Sequence, residues 1–102
     1  MNFISFVRQN ANMEDQDLKS FIQVAINDKN FPNSSDPMIM GKYLYRKLNH
    51  QQTRGFQKLL AVYRTLIPDN EIPEKFKNER AFLDAMNYIV FLQNEDLEYH
   101  DF

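Results

Sequence analysis

The stretch NDKNFPNSSDP, residues 27–37, decides the predicted fold because it ends one amphipathic helix and begins the next. Asp36 is predicted to cap the helix that follows the stretch, with Pro37 at its first position. The missing N–H of proline leaves no helical hydrogen bond unmade there. Apolar residues recur at helical spacing in the helix before the stretch, at Leu18, Phe21, Ile22, Ala25 and Ile26. The chain is therefore predicted to be helical on both sides of a tight aromatic-proline corner.

Helical periodicity also organises the rest of the chain and predicts an all-α protein. The fourth of the predicted helices ends at Pro68. A connection with one turn near Phe76 follows over 69–78, and a fifth helix is predicted over about 79–93. A short strand over Tyr88–Leu92 is the alternative, since that run is β-branched and aromatic, but no partner strand is visible. The first four helices are predicted over about 2–9, 14–28, 37–48 and 49–67.

A series of residues in the first two-thirds of the chain carries a family resemblance. Its members are Ser5-Phe6-Val7, the stripe from Leu18 to Ile26, Phe31-Pro32, Ser34-Ser35, Ile39, Tyr43, Leu44, Phe56, Leu60 and Tyr63. In order and spacing this series is similar to that of the YozE-like family, small bacterial proteins of largely unknown function with a SAM-like (sterile-alpha-motif-like) helical fold. The resemblance covers about residues 1–67.

The resemblance implies a SAM-like bundle of four helices in residues 1–68. Residues 69–102 are then an added C-terminal extension, which we expect to pack on the same single domain. The chain departs from the family at two places. Lys42, Arg46 and Lys47 make the third helix basic where the family is usually acidic, and Leu60 stands where an aromatic residue is expected.

Composition limits the possible chemistry. The absence of cysteine excludes disulfides, thiol catalysis and zinc sites of cysteine type. The N-terminus is a poor signal peptide, and the longest apolar run, Tyr88–Leu92, is far short of the roughly 20 residues that span a bilayer. We expect a cytoplasmic protein that does not enter membranes.

Residues suited to catalysis are scarce, and we predict that the protein is not an enzyme. Only two histidines are present, and Ser34 and Ser35 are explained by the helix cap that they precede. Gly41 and Gly55 form no phosphate-binding loop; close helix packing is the expected reason for both. The acidic C-terminal residues lack the glycine and the spacing of a cation loop. We expect no cofactor, metal ion or small-molecule substrate.

Charge is segregated along the chain, which suggests one candidate surface. Residues 37–68 contain six Lys and Arg and no Asp or Glu, although the formal net charge is −2. Lys42 and Arg46 are four residues apart, as are Arg54 and Lys58, so each pair shares a helix face. These four side chains are candidate nucleic-acid contacts. Alternatively, the basic surface meets the acidic C-terminal third of the same chain or of a second copy.

Aromatic residues in the C-terminal third suggest a second candidate surface. Tyr88, Phe91, Tyr99 and Phe102 do not fit the inward faces of the predicted helices, and exposed aromatics on small domains often mark protein interfaces. The acidic tail over 94–102 is either a solvated terminus, a docking peptide or a cover for the basic surface. We therefore predict a non-enzymatic module that binds itself or another protein, with nucleic-acid binding as the alternative.

Overall fold

A computed structural model describes residues 2–66 and 74–95, and within these ranges the chain is helical and contains no β-strand. The predicted all-α class is confirmed. The elements are α1 (Phe3–Gln9), α2 (Gln16–Ile26), α3 (Pro37–Leu44), α4 (His50–Leu66), a single 3-10 turn (Glu74–Phe76), α5 (Glu79–Met86) and α6 (Tyr88–Glu95).

Side-chain caps begin three of the helices, and the predicted cap at Asp36 is confirmed. The Asp36 carboxylate accepts a hydrogen bond from the Met38 N–H at 2.9 Å, with Pro37 at the first helical position. Asn49 and Gln52 form a reciprocal capping box at the start of α4, with distances of 2.8 and 2.9 Å. Asn78 accepts from the N–H of Ala81 at 3.1 Å and begins α5.

The predicted fifth helix is wrong in one respect, since it is two helices separated at Asn87. The Asn87 N–H still bonds back to the Leu83 carbonyl at 3.0 Å, and its own carbonyl accepts from Val90 and Phe91 as α6 begins. The Asn87 side chain accepts a hydrogen bond from Gln57 Nε2 at 2.9 Å. Asparagine has low helix propensity, so a contact with another helix can decide its local geometry. α3 is also shorter than predicted and ends at Leu44.

α1, α2 and α4 form one packing group around an aromatic core. The ring of Phe3 lies at the centre, with ring centroids 5.8 Å from Phe56 and 5.5 Å from Tyr63. Phe31, from the corner before α3, is buried against Phe3 and Phe21. Edge-to-face and tilted arrangements of this kind add to the free energy gained from burial alone. Phe3, Phe56 and Tyr63 therefore lie on the inward faces of α1 and α4.

The second packing group consists of α3, α5 and α6. Ile89 of α6 is fully buried and faces Gly41 of α3, where a Cβ would lie 3.5 Å from the Ile89 Cβ. Gln93, one turn later, places its side-chain Nε2 3.2 Å from the carbonyl oxygens of both Tyr45 and Leu48. Tyr45 follows the last residue of α3 and Leu48 precedes the Asn49 cap of α4, so Gln93 donates to backbone carbonyls of the turn that joins these two helices.

α4 connects the two packing groups through polar side chains. The Thr53 hydroxyl, which is buried, accepts from Gln93 Nε2 at 2.9 Å. Arg64, near the other end of α4, donates to the Lys77 carbonyl at 3.0 Å, and its guanidinium lies 4.9 Å from the Phe82 ring centroid. These contacts position α5 and α6 against α4, and with them the surfaces described next.

Candidate interaction surfaces

The first candidate surface is the outer face of α6. Ile89 and Gln93 are used in the contacts with α3, and this orientation turns Phe91 outward with 55% of its surface exposed. Tyr88, one turn earlier, is half-buried, and its ring is stacked on that of Phe91 with centroids 6.0 Å apart and planes 13° apart. Two of the four predicted interface aromatics thus form one stacked pair, of which Phe91 is exposed; we call it the α6 aromatic pair. Tyr99 and Phe102 lie outside the described residues.

The second candidate surface is the basic one, and the structure divides it. Arg54 and Lys58 on α4 both reach the first turn of α2. Lys58 Nζ lies 2.8 Å from an Asp17 carboxylate oxygen and 3.4 Å from one of Asp15, while Arg54 Nε lies 3.5 Å from Asp17. Among residues 2–66 and 74–95, the acidic partners found for these two cations are therefore at the start of α2.

These contacts determine the protonation states of the Asp15, Asp17 and Lys58 side chains. The hydrogen bond from Lys58 is the main cause that lowers the pKa of Asp17, and the same bond raises the pKa of Lys58. The backbone N–H of Leu18 is the main cause that lowers the pKa of Asp15, which caps α2. At neutral pH the cluster therefore holds both carboxylates and the ammonium in their charged forms.

Lys42 and Arg46 belong to the other packing group. Lys42 is exposed on α3, and Arg46 is exposed in the turn after α3, with its guanidinium 5.2 Å from the Tyr45 ring centroid. The neighbouring Lys47 places its ammonium 4.8 Å from the ring centroid of Tyr43. Because α3 ends at Leu44, the prediction that Lys42 and Arg46 share a helix face is wrong, whereas Arg54 and Lys58 both lie on α4.

A polar pair that sequence reasoning missed joins α3 to the corner. The Tyr43 hydroxyl donates to Asp28 Oδ2 at 2.6 Å. This bond is the first cause that lowers the pKa of Asp28 and raises that of Tyr43. Its residues are 15 apart in sequence, so no periodic pattern could reveal it.

The partners of Arg54 and Lys58 were also missed, although one signal pointed to them. Gly55 lies inside a long helix, where glycine costs up to about 1 kcal/mol relative to alanine. A Cβ at Gly55 would overlap the carbonyl oxygen of Asp17 and lie 2.7 Å from its carbonyl carbon. Gly55 thus lets the α2 backbone approach α4 between its two basic residues. The glycine indicates a close approach of another backbone at this point of α4.

Two further observations concern residues 2–66 and 74–95. Among them, no three His, Asp or Glu side chains are grouped closely enough to hold a metal ion. No helix in the same ranges combines the length and the apolar character needed to cross a membrane.

Comparisons of the chain with models of known protein families, with curated proteins and with solved structures find no match. A functional assignment therefore depends on the exposure, contacts and charges of the chain's own residues.

Proposed function

We propose that this protein is a small, non-enzymatic interaction module of the YozE-like, SAM-like type, which acts in the cytoplasm of a bacterium or in cells infected by its phage. Its activity is to bind a protein, either a second copy or another chain, through the α6 aromatic pair. The observation that carries the proposal is the 55% exposure of Phe91 in a ring stacked on Tyr88.

Energetics support this assignment. An exposed phenylalanine leaves apolar surface in water, where each Å² costs about 25 cal/mol relative to burial. Aromatic side chains are enriched in the buried centres of protein interfaces, and they contribute much of the binding energy there. Because the inner face of α6 is fixed by Ile89 and Gln93, the pair is presented with little ordering cost on binding.

The placement of the apolar stripes supports the SAM-like assignment. Phe6, Phe21, Phe56 and Tyr63, which carry part of the family resemblance, are all core residues. The extension after residue 68 supplies α5 and α6, and both pack on α3. In this proposal the added helices provide the binding surface, and the four preceding helices provide the scaffold that holds it.

Nucleic-acid binding through Lys42, Arg46, Arg54 and Lys58 is the second candidate function. The exposure of Lys42 and Arg46 favours it. The ion pairs of Arg54 with Asp17 and of Lys58 with Asp15 and Asp17 oppose it, since phosphate would have to compete with these two carboxylates for the cations. Affinity based on phosphate contacts would fall steeply with salt concentration.

Light scattering of the purified chain at low and high salt, with and without a short duplex DNA or RNA, separates the two candidates. We expect the mass to be independent of nucleic acid at both salt concentrations. A complex that forms at low salt and dissociates at high salt would instead establish the basic surface as the functional one.

Photo-crosslinking in the cells that make the protein tests the surface itself. A photoreactive phenylalanine analogue at position 91 should yield a discrete intermolecular adduct, whereas the same group at Leu66, which is 65% exposed on α4, should not. No adduct from position 91, or equal adducts from both positions, would overturn the proposal.

A further inference from the structure

The local sequence gives only a weak reason for the break between α5 and α6 at Asn87. Asparagine is a poor helix former, but residues 79–95 contain neither proline nor glycine, the residues at which helices usually kink. Apolar side chains also keep helical spacing across the break, at Phe82, Met86 and Ile89. The segment therefore favours one continuous helix, and contacts with the rest of the protein impose the break.

The backbone at Asn87 is already close to helical geometry. Its φ is −85° and its ψ is −3°, so a change of about 40° in ψ gives the α-helical value. The Asn87 N–H bonds to the Leu83 carbonyl and the Phe91 N–H bonds to the Asn87 carbonyl, each with the spacing of an α-helix. Val90 differs, because its N–H bonds to the Asn87 carbonyl, where a continuous helix would use that of Met86. Only a small change of the Asn87 backbone therefore separates the broken form from a single helix.

The two halves of this segment are held to the rest of the protein unequally. α5 is anchored by Phe82, which is buried and lies against the Arg64 guanidinium of α4. α6 has a single buried residue, Ile89, and the side chain of Gln93 joins it to the turn after α3. An element with few buried side chains opens at a lower free energy than the core does. α6 is therefore the half that can leave while α5 stays.

We propose that Asn87 is a hinge and that residues 79–95 have two states. In the closed state, which the structure shows, α6 lies on α3. In the open state α5 and α6 form one continuous helix, and α6 is released from α3. This inference goes beyond the proposed function, and it does not depend on what the α6 aromatic pair binds.

Opening changes which surfaces a partner can reach. It uncovers Ile89 and the surface of α3 around Gly41, which cover each other in the closed state. A partner that recognises either surface binds only the open fraction, so its apparent affinity is reduced in proportion to that fraction. Tyr88 and Phe91 both belong to α6, so the α6 aromatic pair is carried intact into either state. The hinge thus controls access to a surface distinct from that pair.

Distances between two spin labels, measured by pulsed electron paramagnetic resonance on the full chain, test the hinge. The chain has no cysteine, so introduced cysteines alone are labelled. Arg80→Cys with Asn94→Cys, the hinge pair, places labels at exposed positions on either side of Asn87. Gln51→Cys with Thr65→Cys, the α4 pair, is the matched control, since it has the same spacing along an uninterrupted helix. That spacing spans about 21 Å between Cα atoms in a straight helix.

We expect one distance from the α4 pair and two from the hinge pair. The major distance of the hinge pair should be the shorter one, because any bend brings the labels together, and the minor one should equal that of the α4 pair. Ile89→Ala should raise the ratio of long to short by at least about tenfold, because Ile89 is fully buried in the closed state. Leu83→Ala is the control, at a residue that is 40% exposed on α5, and should change the ratio less than about threefold.

Two substitutions at the hinge separate straightening from simple detachment. Asn87→Ala and Asn87→Gly both remove the acceptor of the Gln57 bond, but only alanine favours a continuous helix, so the long distance should be more populated with alanine. Labels at Lys42→Cys and Asn94→Cys report the release of α6 from α3, and their distance should lengthen together with that of the hinge pair.

Three results would overturn the hinge. The first is an Ile89→Ala variant and an Asn87→Ala variant that both keep only the short distance of the hinge pair. The second is a distance between positions 42 and 94 that lengthens while the hinge pair stays short, because α6 would then leave without straightening. The third is an equal response to Leu83→Ala and Ile89→Ala, because the change would then not depend on the contact with α3.

Discussion

The two packing groups of this protein are held together in different ways. In the α1/α2/α4 group, rings pack against rings around Phe3, and Gly55 brings the α2 backbone so close to α4 that no Cβ fits between them. In the α3/α5/α6 group, a Cβ added at Gly41 would lie at ordinary contact distance from Ile89. Hydrogen bonds from Gln93 join α6 to the carbonyl groups that follow α3. At Gly55 the first group leaves no room for an added methyl group, whereas at Gly41 the second group does, and the second group also carries the exposed Phe91. The scaffold and the binding surface thus have different physical requirements.

The largest expected effect is the loss of a ring from the first group. Phe3→Ala should lower the free energy of unfolding by about 3–5 kcal/mol, because Phe3 is fully buried and its removal leaves a cavity among rings. Val90→Ala, at a half-buried position of the second group, should cost about 1 kcal/mol. Urea denaturation of both variants measures the difference, and equal losses would contradict the contrast between the groups.

Replacing each of the two glycines by alanine should change the free energy of unfolding in opposite directions. Gly55→Ala should destabilise by about 2–3 kcal/mol, since the new Cβ meets the backbone of Asp17, which cannot move without shifting α2. Gly41→Ala should stabilise by about 0.5–1 kcal/mol, because it removes a helical glycine and adds only ordinary contacts with Ile89. Thermal unfolding of the two variants and the parent chain measures both changes in stability. Changes of the same sign would show that the helix separations at Gly41 and Gly55 differ from those described.

The hydrogen bonds of Gln93 provide the next contrast. Gln93→Met keeps the volume but leaves the carbonyls of Tyr45 and Leu48 without this donor, at a cost of about 1–2 kcal/mol. Gln57→Met is the matched control, because its bond to Asn87 is exposed, and its loss should change stability by less than about 0.5 kcal/mol. Native-state hydrogen exchange should show the loss at the end of α3, and a Gln93→Met variant as stable as the parent would show that Gln93 does not support α6.

The smallest expected effect is the pH dependence of the α2–α4 ion pairs. The pKa of Asp17 is lower in the folded chain than in the unfolded one, so its contribution to stability is present above the unfolded pKa and is lost as pH falls through the folded pKa. Urea midpoints measured from pH 5 to pH 2 should fall less steeply for Asp17→Asn than for the parent.

Lys58→Met should flatten the same acid slope, because it removes the hydrogen bond that lowers the pKa of Asp17. On the alkaline side, the raised pKa of Lys58 predicts a contribution that is complete below the unfolded pKa and is lost as pH rises through the folded one. Parallel acid slopes in the parent and both variants would exclude these pairs as a source of the pH dependence.

Local signals in the sequence predicted much of the fold. Apolar spacing located the helices, and the caps at Asp36, Asn49 and Asn78 each act through bonds to residues two or three positions away. The turn near Phe76 was predicted as well, since Pro73 prevents one long helix from running through the connection over 69–78. The break at Asn87 was not, because the apolar spacing runs through it without a change of phase and the partner of its side chain is on α4.

The candidate site shows the same division. The sequence by itself determined that Phe91 and Tyr88 lack an inward position and that six cations are grouped in residues 37–68, because periodicity and charge are properties of neighbours along the chain. Only the tertiary structure decided that Arg54 and Lys58 are paired with Asp17 and that the face of α6 bearing Phe91 is turned outward. These outcomes depend on contacts between residues more than 30 positions apart, which only the packing of whole helices brings together.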